Sequence, residues 1–299
     1  MCPPTAGDGP ISAVRCGVRR YLVPHPTHNF RGKGITSGRG ISVKKSSALL
    51  SGIAALALSA GFAPAAQAID NPGALIVGGH DATESYEWMA SLQRSGSHSC
   101  GASLIDEQWV LTAAHCVADA KPADLGLRIG SPTWSSGGTE AGVSEVVVHP
   151  DYETNTPNGD IALLKLDQAV SETPIELADA SGEAGTPSRI IGWGVTCPVR
   201  GCGEPPEQLQ ELETQVAPDA NCTLSSIDGP TEICTSSKEL LANACFGDSG
   251  GPQLEGTPGD WKLTGVTSRL GSPVPVCGTA PSVYTDATAY ADWISSTIG

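Results

Sequence analysis

The sequence predicts an all-β protein in two halves of similar length, closed by one C-terminal helix. Three observations carry this. The 299 residues include 36 glycines and 23 prolines, and Val, Ile and Thr recur in short runs, a pattern of many short strands and turns. Residues 179–187 (Asp-Ala-Ser-Gly-Glu-Ala-Gly-Thr-Pro) are small, polar and Gly-rich, and read as a connector between strand-like runs on either side. Near the end of the chain, Tyr290, Trp293, Ile294 and Ile298 recur at helical spacing, predicting a helix over 287–298.

Taken in order, residues 1–42 are rich in Gly, Pro and Arg and lack an apolar period. They are read as a dispensable extension, or as no part of the real protein. From Val43 the pattern is that of a secretory signal: Lys44-Lys45, an apolar run over 48–62, and a small-x-small cleavage site at Ala66-Gln67-Ala68. The apolar run falls short of the roughly 20 residues that span a bilayer. Signal peptides begin close to their lysines, so translation is expected to start at Val43 and the signal to occupy 43–68. Residues 69–75 are a short segment with a Pro72-Gly73 turn, followed by Ile76-Val77-Gly78-Gly79. Strand-like runs follow at 100–105, 109–116, 142–149 and 161–166, and resume after the connector at 189–194, 209–216, 261–267 and 282–285.

Charge is unevenly spread. Residues 1–75 carry eight Lys/Arg and two Asp, whereas the rest carries nine basic and thirty acidic residues, for a net charge of −15 overall. So acidic a body repels nucleic acid and anionic membrane, and no partner of either kind is expected. Two of the ten cysteines, Cys2 and Cys16, lie in the basic head. The eight in the body, in a chain with an export signal, read as disulfides. No Cys-x-x-Cys pair or histidine cluster points to zinc, and no metal is expected.

The reactive groups come last. Asn243-Ala244-Cys245-Phe246-Gly247-Asp248-Ser249-Gly250-Gly251-Pro252 places a serine between glycines, directly after a carboxylate. Glycines permit unusual backbone angles and a nest of N–H groups around the serine, which makes Ser249 a candidate nucleophile. A surface turn fits the glycines equally well, but leaves the Asp, Cys and Pro unexplained. A serine needs a base, and the base needs an orienting carboxylate. His115 ends the run Trp109-Val110-Leu111-Thr112-Ala113-Ala114-His115-Cys116, and Asp160 heads the run at 161–166, where it also reads as a turn residue. His25, His28, His80 and His149 are read as structural. Chain order separates the scaffolds. Gly247-Asp248-Ser249-Gly250-Gly251 matches the Gly-x-Ser-x-Gly elbow of esterases, but that fold needs a His after the Ser, and no histidine follows His149.

With the order His115, Asp160, Ser249, the chain resembles the trypsin/chymotrypsin family of serine endopeptidases, of the secreted bacterial type. The resemblance covers 76–299. It rests on Ile76-Val77-Gly78-Gly79, Thr112-Ala113-Ala114-His115-Cys116, Asp160-Ile161-Ala162-Leu163-Leu164, Gly192-Trp193-Gly194 and Gly247-Asp248-Ser249-Gly250-Gly251-Pro252. It implies two antiparallel Greek-key β-barrels, approximately 76–182 and 183–299, with a C-terminal helix. It implies an extracellular, monomeric enzyme that hydrolyses protein or peptide substrates through an acyl-enzyme and needs no cofactor. By the resemblance, Ser249 is the nucleophile, His115 the general base and Asp160 its orienting acid. Gly247 and Ser249 supply the oxyanion amides, and Ser268 supports Asp160 while bordering the substrate. Residues 69–75 become an activation peptide, cut by another protease after Leu75. The new Ile76 ammonium then pairs with Asp248, which His98 holds beforehand. The implied disulfides are Cys100–Cys116, Cys222–Cys234 and Cys245–Cys277, which leaves Cys197 with Cys202.

The chain departs from the family pattern where the residue before the scissile bond binds. Asn243 stands at the pocket base in place of the Asp of trypsins. Leu270 and Ser282 replace common glycines on the walls. Small or medium uncharged side chains are the expected preference, unless a strand bulge puts Gly271 in the place of Leu270 and reopens the pocket. The rival from another class is a non-catalytic binding protein on a protease scaffold.

Overall fold

A computed structural model describes residues 76–154 and 158–299. The extension, the signal peptide and residues 69–75 lie outside the described residues. Thirteen strands and one α-helix follow in chain order. A two-residue strand β1 (His80–Asp81) precedes β2 (Met89–Arg94), β3 (Ser97–Asp106), β4 (Trp109–Thr112), β5 (Leu125–Ile129), β6 (Thr139–Val148) and β7 (Ala162–Leu166). The second half holds β8 (Pro187–Gly192), β9 (Gln210–Val216), β10 (Glu232–Ser237), β11 (Pro252–Thr257), β12 (Asp260–Leu270) and β13 (Ser282–Asp286). All strand pairs are antiparallel.

Each half closes into a six-stranded barrel. The first runs β2-β3-β4-β7-β6-β5 and the second β8-β9-β10-β13-β12-β11, so both use the same order of hairpins and crossover. Closure removes the exposed edges that an open sheet of these short strands would leave. The alternating pattern required by one buried face is plain in β5, where Leu125, Leu127 and Ile129 point inward and Gly126 and Arg128 do not. Leu104, Leu111, Ile129, Leu163, Leu164 and Leu166 are wholly buried in the first core. Ile190, Leu212, Ile233 and Tyr284 pack in the second.

The described chain does not begin in the first barrel. β1 pairs with β9, and Ile76 is fully buried in the core of the second barrel. The run after the connector likewise starts later than its partner contacts. The 176–178 segment already pairs with β12, through Ala178 N donating to Leu263 O and Leu263 N to Glu176 O, both at 2.9 Å.

The helix α1 (Ala291–Ile298) is shorter than the apolar spacing suggests, because its first turn is a 3₁₀ turn over Ala287–Tyr290. The Asp286 carboxylate caps that turn by accepting from the amides of Thr288 and Ala289. Tyr290 and Trp293 meet the His149 ring edge to face at 4.8 and 4.9 Å, which ties the helix to the first barrel and gives this histidine a packing role. Disulfides join Cys100–Cys116, Cys197–Cys202, Cys222–Cys234 and Cys245–Cys277. Among the described residues, no helix is long and apolar enough to cross a membrane.

Candidate active site

Strand pairing brings His115 and Asp160 together. β4 and β7 run antiparallel with Thr112 opposite Ala162. The residues just after β4 and just before β7 therefore emerge at one end of the barrel. His115 sits there in a 3₁₀ turn over Ala114–Cys116, fixed from below by the disulfide from Cys116 to Cys100 on β3. Asp160 Oδ2 lies 2.8 Å from His115 Nδ1, and Asp160 Oδ1 accepts from the His115 amide at 2.9 Å. The second barrel completes the support. Ser268 Oγ on β12 donates to Asp160 Oδ2 at 2.6 Å, and Thr285 Oγ1 on β13 donates to Asp160 O at 2.9 Å. Burial pushes the Asp160 carboxyl up, but the bonds from His115 and Ser268 and the amide of His115 outweigh it and hold the group below the usual carboxylate range. An ionised Asp160 that accepts at Nδ1 leaves Nε2 of a neutral His115 with its lone pair free.

Ser249 is carried on a loop clamped by both barrels. Gly101 N on β3 donates to Ser249 O, Gly250 N to Thr267 O, and Thr267 N to Gly251 O, each at 2.8 Å. Within this loop the amides of Asp248, Gly250 and Gly251 are spent on carbonyls, whereas those of Gly247 and Ser249 have no acceptor among the described residues. Gly247 has φ 102°, a conformation that only glycine takes without strain. Ser249 Oγ is likewise without a hydrogen-bond partner among the described residues. A long serine–imidazole approach is usual without substrate and tightens in the complex.

Asp248 points the other way, into the second barrel. It is 2 % exposed, and its two oxygens accept only from the amides of Gly194 and Cys245, each at 2.8 Å. Gly194 must be glycine here, since a Cβ would collide with the carboxylate. Burial pushes the Asp248 carboxyl up to about 6, and the two amides only partly oppose it. No cation meets it among the described residues. His98, expected to hold Asp248, instead has Nε2 3.0 Å from Gly247 O and Nδ1 2.9 Å from Ser91 Oγ. Burial lowers this imidazole to about 4, so it is neutral, with Nε2–H donating to the carbonyl and Nδ1 accepting from the serine hydroxyl.

A cavity of about 240 Å³ opens beside Ser249 and His115, walled by Ser268, Leu270, Ser282 and, from a separate loop, Arg200. Leu270 pairs directly with Ser282 across β12 and β13. The bulge in β12 falls at Thr267/Arg269, upstream of Leu270, and Gly271 is pressed against Pro281 O instead of facing the cavity. Ser282 Oγ is buried without a hydrogen-bond partner. Asn243 is not among the lining residues. It is 1 % exposed, its Nδ2 donates to Thr235 O and Ala280 O at 3.2 and 3.4 Å, and its Oδ1 accepts from Ala244 N at 2.9 Å. The structure thus brings His115, Ser249, Ser268, Leu270 and Ser282 around one cavity, holds Asp160 buried against His115 and Ser268, and leaves Asn243 outside the lining.

Sequence reading did not anticipate Thr285, Arg200 or Phe246. Thr285 lies inside a predicted strand, where a hydroxyl carries no mark of its partner. Arg200 and Phe246 meet only because two distant loops fold together. Cys100, His115 and Cys116 place sulfur and nitrogen close by, but the disulfide leaves neither sulfur as the thiolate a metal ion requires.

Comparison with known proteins agrees with the geometry. The family model for trypsin matches residues 76–294. Trypsin delta of Drosophila melanogaster is 35 % identical over 230 residues, covering 74 % of this chain and 87 % of that protein. Trypsin alpha of the same fly is 36 % identical over 231 residues with the same coverage, and trypsin theta 36 % over 230 residues, 73 % of this chain and 84 % of that protein. These relatives are insect proteins and lend no support to a bacterial subtype. Two six-stranded barrels, four disulfides and a family match across the described body have one reading: the chain belongs to the trypsin family and is a serine endopeptidase.

Proposed function

We propose that the protein is a secreted endopeptidase working through Ser249, His115 and Asp160. His115 Nε2 takes the Ser249 hydroxyl proton as Oγ bonds to the scissile carbonyl carbon. The same proton goes to the leaving amine as the C–N bond breaks, and water repeats the sequence to release the acyl group. Asp160 fixes the imidazole tautomer and stabilises its cation. The amides of Gly247 and Ser249 receive the oxyanion, a contact worth roughly 10²–10³-fold in rate per donor. The observation that carries this reading is the doubly bonded His115–Asp160 pair beside a serine whose neighbouring amides are uncommitted.

The precursor is read as a signal peptide over 43–68 and an activation peptide over 69–75, with another protease cutting after Leu75 and the mature enzyme acting outside the cell as a monomer. The new ammonium at Ile76 would meet Asp248, and the burial of both residues in the second barrel supports that pairing. An uncharged, small or medium residue before the scissile bond suits a cavity narrowed by Leu270 and Ser282. Protein beginning at Ile76 should be labelled at Ser249 by a fluorophosphonate and should cut a peptide library after uncharged residues. Protein with Ser249→Ala should do neither. Absence of labelling in correctly processed protein would favour a binding role on a protease scaffold.

A further inference from the structure

The loop between Cys197 and Cys202 carries an arginine to the mouth of the catalytic cavity. The loop is closed by its own disulfide and anchored by Cys277 N donating to Pro198 O at 2.8 Å and by a bridge from Val199 to Val276. Arg200 thereby lies over the Phe246 ring, its guanidinium carbon 4.3 Å from the centroid, and lines the same cavity as Ser249 and His115. Phe246 directly precedes Gly247, so the cation sits next to the reacting centre.

Its charge is unspent. The described residues include five arginines. Arg94, Arg128, Arg189 and Arg269 each meet a carboxylate within 4.0 Å, and Arg200 meets none. Lys121, Lys165 and Lys238 likewise meet no carboxylate among the described residues, but of these unpaired cations Arg200 alone lines the cavity beside Ser249 and His115. Arg269, the other arginine on the cavity wall, is neutralised by Glu232. Stacking on an aromatic face holds a guanidinium in place while its N–H fork stays free for a carboxylate.

We propose that Arg200 is a specificity residue that binds the carboxylate of an Asp or Glu flanking the scissile bond of the substrate. The proposal rests on the proteolytic reading above and adds to it a charged subsite beside an uncharged one. The net acidity of the body sharpens the selection, since only a carboxylate with a dedicated cation offsets the general repulsion.

The test uses protein beginning at Ile76 and matched peptides that carry Glu or Gln at each of the three positions on either side of the cleaved bond. The intact enzyme is expected to favour Glu over Gln at one of these positions by roughly fivefold in kcat/KM, the size of an exposed ion pair. The preference should shrink as salt rises. Arg200→Gln should bring the ratio to about one, and Arg200→Lys should keep part of it, which a purely structural loss of the loop would not. A ratio near one in the intact enzyme, or one unchanged by Arg200→Gln, overturns the proposal alone. Failure to cut any peptide overturns the proteolytic reading and the proposal with it.

Discussion

Asn243 shows at the residue scale how a motif position and a side chain's work can part. In sequence it occupies the pocket base, six residues before Ser249. In the fold its amide is consumed by Thr235 O, Ala280 O and Ala244 N. Restoring an Asp there would set a carboxylate against two carbonyls that need a donor. Asn243→Asp should therefore lower stability by about 1–3 kcal/mol and gain no cleavage after Arg or Lys, measured by urea denaturation and by peptides differing only at that residue. Asp160 is the opposite case, since the role proposed for it fits the two bonds it makes to His115. Asp160→Asn keeps the shape but offers His115 Nδ1 the wrong partner, and kcat should fall roughly 10⁴-fold, as the same change does in related enzymes, with the fold kept as judged by circular dichroism. His115, Asp160 and Ser249 stood out as candidates because reactive side chains in a fixed order have few explanations, and the structure brings the first two into contact. Arg200 was not, because its meaning lies in the ring beneath it and in the carboxylates it does not meet.

At the scale of elements, the strands that sequence reading located are those dense in β-branched and large apolar residues, such as β4, β7 and β13. Besides the two-residue β1, those it passed over are the barrel strands β2 (Met-Ala-Ser-Leu-Gln-Arg), β5 (Leu-Gly-Leu-Arg-Ile), β10 (Glu-Ile-Cys-Thr-Ser-Ser) and β11 (Pro-Gln-Leu-Glu-Gly-Thr). Each is short and carries Gly, Pro or several polar residues. They are strands because a neighbour on both sides supplies their hydrogen bonds and the barrel cannot close without them. β8 and β9 are joined in a further way that no local pattern announces. Arg189 on β8 meets Glu211 and Glu213 on β9 and Glu84 before β2, and lies over the Trp261 ring at 4.6 Å. Glu211 is 1 % exposed and is held below the usual carboxylate range; burial opposes this, but Thr83, Tyr86 and Arg189 outweigh it. Arg189→Met would leave that charge with the hydroxyls of Thr83 and Tyr86 and, among the described residues, no nearby basic group but the exposed His80 at 3.8 Å. The expected loss is about 3–5 kcal/mol, or roughly 10 °C in melting temperature. Pairing it with Glu211→Leu should recover much of the loss, whereas a deficit as large in the double variant would show that the ion pair is not what Arg189 contributes.

Across the whole molecule, the start of the body and the catalytic loop are linked through the second barrel. Val77 O accepts from Asn243 N at 3.0 Å, and Gly78 is pressed against Ala242. Ile76 and Asp248 are both buried in this barrel, yet in the uncleaved chain the Asp248 carboxylate has two amides and, among the described residues, no cation. The energetic consequence has a definite sign. The folded carboxyl titrates at about 6, against 3.8 for the unfolded group. Between those values the folded carboxyl holds its proton more than the unfolded one, so the contribution of Asp248 to the stability of the uncleaved protein falls as pH rises from about 4 to 6 and stays low above, while His98, lowered to about 4 by burial, contributes with the opposite sign in cleaved and uncleaved protein alike. The Asp248 total is about 3 kcal/mol. An Ile76 ammonium supplied by cleavage would favour the ionised form, lower this pKa and remove the penalty. Urea denaturation at pH 4, 5, 6 and 7 should therefore show Ser249→Ala protein with Leu75–Ile76 intact losing stability relative to the same variant beginning at Ile76 as pH rises, because the His98 contribution is common to both and cancels. The cleaved variant should be the more stable of the two at pH 7. Asp248→Asn in both proteins should make that difference independent of pH, since it removes the titrating group. Parallel pH profiles for cleaved and uncleaved protein would mean that the new terminus does not reach Asp248, and the coupling of activation to the Ser249 loop would have to run by another route.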